Sequence, residues 1–233
     1  MHLKKVNIVT YGGRKDKAYS EKLGAITLLP VTWRTRALTI LHLLIKHRSE
    51  IKNSDILKTT QISGAKIPLW FKKRFGNKLI VRCGYLHSQF SIKETKDETV
   101  YRKAYKLERD IFSLADVGIV TSPRDREYVL AEYKLKSEKI KVIPNYIITE
   151  IFKPLPEIKK YGLVFIGRGG PQKNIDSLLK AIQHLKKRRH GISLMMVGRC
   201  YYDRKVKRLI DRYELDVTLK GTIPNFELPQ IIN

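Results

Sequence analysis

The sequence predicts an α/β fold with parallel sheets and helices on both faces. Two observations carry this. Short β-branched runs take turns with longer helical patterns from Val6 to Leu219. The strand runs are also apolar throughout rather than alternating, as strands buried on both faces are. In chain order, strands are expected at Val6–Thr10, Ile26–Val31, Ile56–Thr59, Leu79–Arg82, Val117–Thr121, Ile140–Ile143, Leu163–Ile166, Ser193–Val197 and Val217–Leu219. Between them, helices are expected over about Thr35–Ile51, Ala65–Phe75, Thr99–Leu114, Pro123–Tyr133, Ile175–Arg189 and Asp203–Tyr213.

Some boundaries have a local cause. Ser122-Pro123-Arg124-Asp125 offers a capping hydroxyl, a proline at the first helical position and a carboxylate at the third. Asn174 can cap the next long helix, with Asp176 well placed in its first turn. Thr149–Lys160, with Pro154 and Pro156 between two strand patterns, reads as an interdomain linker. The expected division is 1–152 and 153–233. No repeat at a solenoid period and no low-complexity tract breaks the pattern.

With 233 residues, 42% of them hydrophobic, the chain can form one large domain or two small ones. That apolar content excludes a disordered chain, and 14 glycines and 9 prolines exclude a collagen-like one. Cys83 and Cys200 are far apart and have no neighbours at metal-ligand spacing. They give neither a disulfide framework nor a zinc site and fit a reducing compartment, so a cytoplasmic location is expected. The apolar run behind the basic start ends at Tyr11-Gly12-Gly13, too short for a secretion signal. The longest apolar stretch, Ala37 to Ile45, is about half a membrane span and contains His42. The chain is expected to be soluble or to lie on the inner face of a membrane, not to cross it.

Lys and Arg number 47 against 22 Asp and Glu, a formal charge of +25. Residues 1–153 carry 31 basic and 15 acidic side chains, residues 154–233 carry 16 and 7, so the excess is spread evenly. A nucleic-acid footprint is usually a stripe, tail or arm, and nucleic acid is not the expected partner. A lysine-rich solvated surface comes first, and attraction to anionic lipid or phosphate-bearing substrates second.

In an open α/β sheet, ligands bind beyond the carboxyl ends of strands, where helix N-termini present free N–H groups. One segment has that form. The strand Leu163–Ile166 runs into Gly167-Arg168-Gly169-Gly170-Pro171-Gln172-Lys173-Asn174 and then a long helix. Glycines allow close backbone approach, and Arg168 and Lys173 flank the turn. A diphosphate leaving group held without a metal ion needs such cations beside a helix N-terminus. The spacing matches neither the P-loop nor the dinucleotide fingerprint. Alone, two cations near a loop in so basic a chain read equally well as solvated.

Further motifs supply context. Ala115-Asp116-Val117-Gly118-Ile119-Val120-Thr121-Ser122 resembles the strand and serine that close the first domain of retaining GT-B-fold glycosyltransferases, the group 1 or family 4 type. Val142-Ile143-Pro144-Asn145, with Phe152-Lys153-Pro154, resembles that family's hinge. Phe165-Ile166-Gly167-Arg168 with Lys173-Asn174 resembles its donor-phosphate loop. Leu194-Met195-Met196-Val197-Gly198 and Lys220-Gly221-Thr222-Ile223-Pro224-Asn225-Phe226-Glu227-Leu228-Pro229 resemble the next strands and turns. These run in order from about Ala104 to Asn233, and upstream Asp55–Gly84 fits loosely.

The resemblance implies a GT-B-like pair of Rossmann-type domains, acceptor side first and nucleotide-sugar donor side second. It implies a sugar transferase using a nucleotide-diphosphate sugar and no metal or other cofactor. Arg168 and Lys173 would hold the donor diphosphate, Gly167 would let the phosphates approach, and Gly198 would line the donor pocket. The acceptor would be a glycan or a lipid-linked glycan, and the family favours retention of anomeric configuration. Three positions depart from the pattern. Tyr146-Ile147-Ile148 follow Asn145 where the family has Gly-Val-Asp. Cys200 replaces a glycine. Cys83 stands where a histidine near the sugar is usual. His87, four residues on, is the catalytic candidate, and a solvated or structural loop histidine is the alternative. Both domains are expected to be incomplete, the second more so, since the family continues into a segment bearing two glutamates. A complementing polypeptide would then be one partner.

Amphipathic Thr35–Ile51 puts Leu38, Leu41, Leu44 and Ile45 on one stripe, with cations at both ends. Core packing is the first reading and docking on an anionic bilayer the second. Neither a nucleophile elbow nor paired carboxylates can be argued. The reading set against a glycosyltransferase is a non-catalytic basic α/β remnant or partner subunit that binds phosphate-bearing polymers or an anionic membrane.

Overall fold

Every described strand pairs in parallel, in three sheets. The computed structural model describes residues 4–10, 26–31, 35–95, 97–156, 161–188, 191–199 and 203–232. The chain divides into two units, Met1–Asn145 and Tyr146–Asn233.

In the first unit, β1 (Val6–Thr10) pairs with β2 (Ile26–Pro30) in a sheet of their own. Four more strands lie side by side in chain order: β3 (Ile56–Lys58), β4 (Lys78–Cys83), β5 (Val117–Val120) and β6 (Ile140–Val142). Helices α1 (Arg36–Lys46), α2 (Arg48–Lys52), α3 (Lys66–Phe75), α4 (His87–Thr95), α5 (Glu98–Leu114) and α6 (Pro123–Tyr133) connect them. In the second unit the sheet order is β7 (Leu163–Ile166), β8 (Leu194–Val197) and β9 (Val217–Lys220). Its helices are α7 (Ile175–Arg188), α8 (Arg204–Arg212) and the short α9 (Pro229–Ile232).

Neighbouring strands that follow chain order have a consequence for the layers. Each right-handed crossover steps in the same direction, so successive helices return over the same face. The cores bear this out. Leu79, Val81 and Cys83 from one face of β4 join Val120 and Ile140 under Ile111 and Phe112 of α5 and Val129 and Tyr133 of α6. In the second unit Leu194 and Met196 pack with Phe165 and Leu219 against Ile175, Leu179 and Ile182 of α7 and Val206 of α8. Each such fully buried apolar side chain stabilises the fold by about 1.5–3 kcal/mol. The described core-forming helices pack on one face of each of these two sheets, while Ile119, Met195 and Val197 are buried on the opposite faces.

Local signals behave mostly as expected. Ser122 Oγ accepts the Asp125 N–H at 3.1 Å and starts α6. Asp97 and Asp203 cap α5 and α8 in the same way. Asn174 departs from its expected role. It sits in the left-handed region at φ +46°, where asparagine is tolerated, and its Oδ1 takes the Ser177 hydroxyl at 3.0 Å rather than a backbone N–H. Its carbonyl still opens α7, accepting the Ser177 and Leu178 N–H groups. The helix expected over Thr35–Ile51 breaks at His47, whose φ of −135° is not helical. Helix α4 had no sequence counterpart.

Candidate functional site

Strands β7 and β8 end in register, Ile166 opposite Val197. The residue after each is a glycine, so Gly167 and Gly198 meet just beyond the carboxyl edge. The Gly167 N–H donates to Val197 O at 2.9 Å, and the Gly198 N–H donates to Lys220 O at 3.0 Å and Gly221 O at 3.2 Å. Gly198 has φ +118°, and a Cβ there would sit 2.1 Å from the Gly167 carbonyl oxygen. No side chain fits that space, and L-residues rarely adopt that backbone. At Gly167 a Cβ would meet the Phe165 ring at 3.1 Å and Lys173 Cε at 3.8 Å. The Lys173 side chain therefore lies beside the bare backbone of Gly167.

Beyond Gly167 the loop turns through Gly170, at φ +135°, into one 3₁₀ turn, Pro171–Lys173. The Lys173 N–H closes it on Gly170 O at 3.1 Å. Arg168 and Lys173 are exposed and belong to no ion pair among the described residues. The helix that follows, α7, is 14 residues long, and its first turn presents amide groups suited to an anion. Asp176 in that turn would compete with a bound anion, but Lys205 of α8 holds its carboxylate. Gly167, Gly198 and Lys173 are thus brought together by register and turn, and Arg168 by its bond to Gly167. An anion placed here would meet bare glycine backbone with the Lys173 side chain beside it, close to the start of α7, and Arg168 is the next residue of the loop.

At the carboxyl ends of the first unit's strands the chain is tied by side chains. The Gly84 N–H donates to Gln61 Oε1 at 3.2 Å, and Thr121 Oγ1 donates to Gly84 O at 3.2 Å. The Arg82 guanidinium donates to Asn145 Oδ1. Cys83, 1% exposed, closes β4 and its thiol donates to Tyr85 O at 3.0 Å. Burial, with the nearby Glu108, pushes that thiol up to about 12, so it is protonated at neutral pH and no nucleophile. His87 opens α4, half-buried, its ring 4.6 Å from that of Tyr85.

The residue after His87 anchors it. Ser88 Oγ donates to Glu108 Oε2 at 2.6 Å and the Ser88 N–H donates to Oε1 at 3.3 Å. The Tyr133 hydroxyl donates to the same Oε2 at 2.7 Å. Burial pushes the Tyr133 hydroxyl well above its ordinary value, and the neighbouring Glu108 adds to the rise. This fully buried carboxyl, Glu108, fixes the start of α4 to α5 and α6 and so fixes the backbone of His87.

These features match a known pattern. The sequence profile described as Glycosyltransferase Family 4 matches residues 4–151, and the profile described as Glycosyl transferases group 1 matches residues 147–233. The chain belongs to glycosyltransferase family 4. Among solved structures it is similar to Anabaena HepE, solved in complex with UDP and glucose, at 16% identity and a TM-score of 0.72. That match covers 97% of this chain and 63% of the HepE chain. It is also similar to the sucrose-phosphate synthase of Thermosynechococcus elongatus, at 16% identity and a TM-score of 0.71, over 97% of this chain and 72% of that one. A Staphylococcus aureus TarM variant, solved with fondaparinux, alpha-GlcNAc-glycerol and UDP, matches at 18% identity and a TM-score of 0.63. There the shares are 79% and 37%. No curated protein sequence matches the chain significantly. These likenesses establish the GT-B fold for this family 4 member.

Within that fold the sequence located the glycines and cations of the second unit but not the residues that position His87. Glu108 lies in an otherwise ordinary amphipathic helix, and only its place on the apolar stripe of α5, beside Ile111 and Phe112, could have marked it as buried. Cys200 lies outside the described residues. Among those that are described, no group of three or more His, Cys, Asp or Glu converges as a metal site.

Proposed function

We propose that this family 4 chain transfers a sugar from a nucleotide-diphosphate donor to a glycan or lipid-linked acceptor. Residues 153–233 would be the donor side and 1–152 the acceptor side. Arg168 and Lys173 bind the donor diphosphate, Gly167 lets its oxygens reach backbone, and Gly198 keeps the floor of the pocket open. In the transfer, the bond from the anomeric carbon to the diphosphate oxygen breaks and its electron pair leaves with the diphosphate. An acceptor hydroxyl oxygen bonds to that carbon, and its proton passes to the departing diphosphate, whose oxygen carries the released electron pair. The negative charge that builds on the leaving group is what Arg168, Lys173 and the start of α7 stabilise.

The observation that carries this reading is the contact of Gly198 with the Gly167 carbonyl beside two exposed cations that have no ion-pair partner among the described residues. HepE, of the same fold, was solved with UDP-glucose. On the acceptor side, His87 is the candidate for contact with the transferred sugar, held by the Ser88–Glu108 hydrogen bonds. A thermal-shift titration with UDP, GDP, ADP and their sugars, beside Arg168→Ala, tests the proposal. A ligand at a hundred times its Kd stabilises the fold by about 2.7 kcal/mol, a rise of several degrees in Tm. One nucleotide family raising Tm, with the rise lost in Arg168→Ala, is the expected result. A flat response to all of them from cooperatively folded protein overturns it and leaves the non-catalytic reading.

A further inference from the structure

Helix α1 does not bury the stripe that its sequence suggests. Thr39 and Leu43 face the core, with Ile40 and Leu44 packed beside them. Leu38, Leu41 and Ile45 stand out in solvent, Ile45 at 72% exposure. The core-packing reading of that stripe therefore holds for Leu44 and is corrected for Leu38, Leu41 and Ile45. Next to it, between α1 and α3, runs an open groove of about 560 Å³ with Leu41, Leu44 and Trp70 among its walls and Arg36, Lys66 and Lys73 on its rim. None of the residues lining it is acidic.

Two of the three rim cations are placed against local helix energetics, while Lys73 lies in the last turn of α3, where a cation suits the dipole. Arg36 and Lys66 are the first residues of α1 and α3, and neither helix has an acidic residue in its first turn. Cations at a helix N-terminus oppose the macrodipole, so helix stability does not explain them. On the other side of α3, Lys72 is neutralised by Asp116, while Arg36, Lys66 and Lys73 are exposed and belong to no ion pair among the described residues. Exposed leucine, isoleucine and tryptophan ringed by unopposed cations is the chemistry of a surface that meets anionic headgroups and inserts shallowly below them.

We propose that the α1–α3 face of the first unit docks the protein on an anionic lipid bilayer, with Leu41, Ile45 and Trp70 entering the interface and Arg36, Lys66 and Lys73 paired with headgroup phosphates. This does not rest on the donor-site reading, and Arg168→Ala is expected to bind vesicles like the wild type.

The test is co-sedimentation of the full chain with phosphatidylcholine vesicles lacking or containing phosphatidylglycerol, with Trp70 fluorescence followed in a Trp33→Phe background. Binding to the anionic vesicles and a blue shift of Trp70 are expected. Each rim cation replaced by serine should lower the partition about fivefold, and all three on the order of a hundredfold. Leu41→Glu/Ile45→Glu should abolish binding without lowering Tm, since both side chains are already exposed. Three outcomes overturn the proposal: equal partition into neutral vesicles, undiminished binding by Leu41→Glu/Ile45→Glu with Trp70 unshifted, or a self-associated species that these substitutions dissociate and that ignores lipid.

Discussion

The α-carbon of Gly198 lies against the carbonyl oxygen of Gly167, so close that a methyl group on it would stand 2.1 Å from that oxygen. Two adjacent strand ends are thereby locked at the place where the loop cations gather. Gly198→Ala should cost at least about 2–3 kcal/mol, through the clash and the positive φ together. It should also abolish nucleotide-dependent stabilisation. Thermal unfolding with and without nucleotide measures both effects. A variant with wild-type Tm and wild-type nucleotide response would show that the two strand ends are not held this way.

Arg168 and Lys173 should behave differently from Gly198. Both are exposed and outside any described ion pair, so alanine at either position should leave the Tm of the free protein unchanged. Each lost charge-assisted contact to a diphosphate should raise Kd by roughly 10- to 100-fold. Titration calorimetry at two salt concentrations checks this, and the affinity of the wild type should fall as salt rises.

The Glu108 network predicts a stability effect far from the loop. Tyr133→Phe removes one of the donors to a fully buried carboxyl and should cost about 1–3 kcal/mol in urea unfolding. The same variant should reduce transfer activity only through His87, so kcat should fall more than nucleotide affinity. Equal loss in both would contradict the positioning role.

Acid stability should depend on Asp116. Burial alone would raise its carboxyl, but the Lys72 ammonium and the Leu79 N–H, 2.7 Å from Oδ2, hold it below the ordinary value. A carboxyl lowered on folding contributes stability that is complete above its unfolded value, about 3.9, and disappears as the pH falls through the lower folded one. Unfolding free energy measured from pH 6 to pH 2 should drop more steeply for the wild type than for Asp116→Asn. The two curves should converge at the acid end.

Much of this fold was legible because strand and helix periods differ and the strands are short and apolar. Val6–Thr10, Leu163–Ile166 and Pro123–Tyr133 appear where the periodicity put them. Helix α4 escaped because its sequence, from His87 to Thr95, is polar and carries no apolar stripe. The break at His47 escaped because neither proline nor glycine marks it. The sidedness of α1 was misread at three of its four stripe residues for another reason: Leu38, Leu41 and Ile45 fit a helical stripe as well as Ile40 and Leu43 do. Packing against Val31, Ile51 and Phe71 selects Ile40 and Leu43, with Leu44 packed against the core in either reading. At the site, the glycines and cations could be named from sequence. Their meeting could not, because it depends on the register that sets Ile166 against Val197.

Whether Gly167–Lys173 and Gly198 form a diphosphate site is decided by comparing each nucleoside diphosphate with its own monophosphate. Equilibrium binding of UDP, GDP and ADP beside UMP, GMP and AMP should show one base preferred. For that base the diphosphate should bind at least about tenfold tighter, since each charge-assisted contact is worth about 1.5–3 kcal/mol. The advantage should vanish in Arg168→Ala/Lys173→Ala. Equal affinity for mono- and diphosphate, or a diphosphate preference that survives the double substitution, would mean that these residues do not hold the diphosphate.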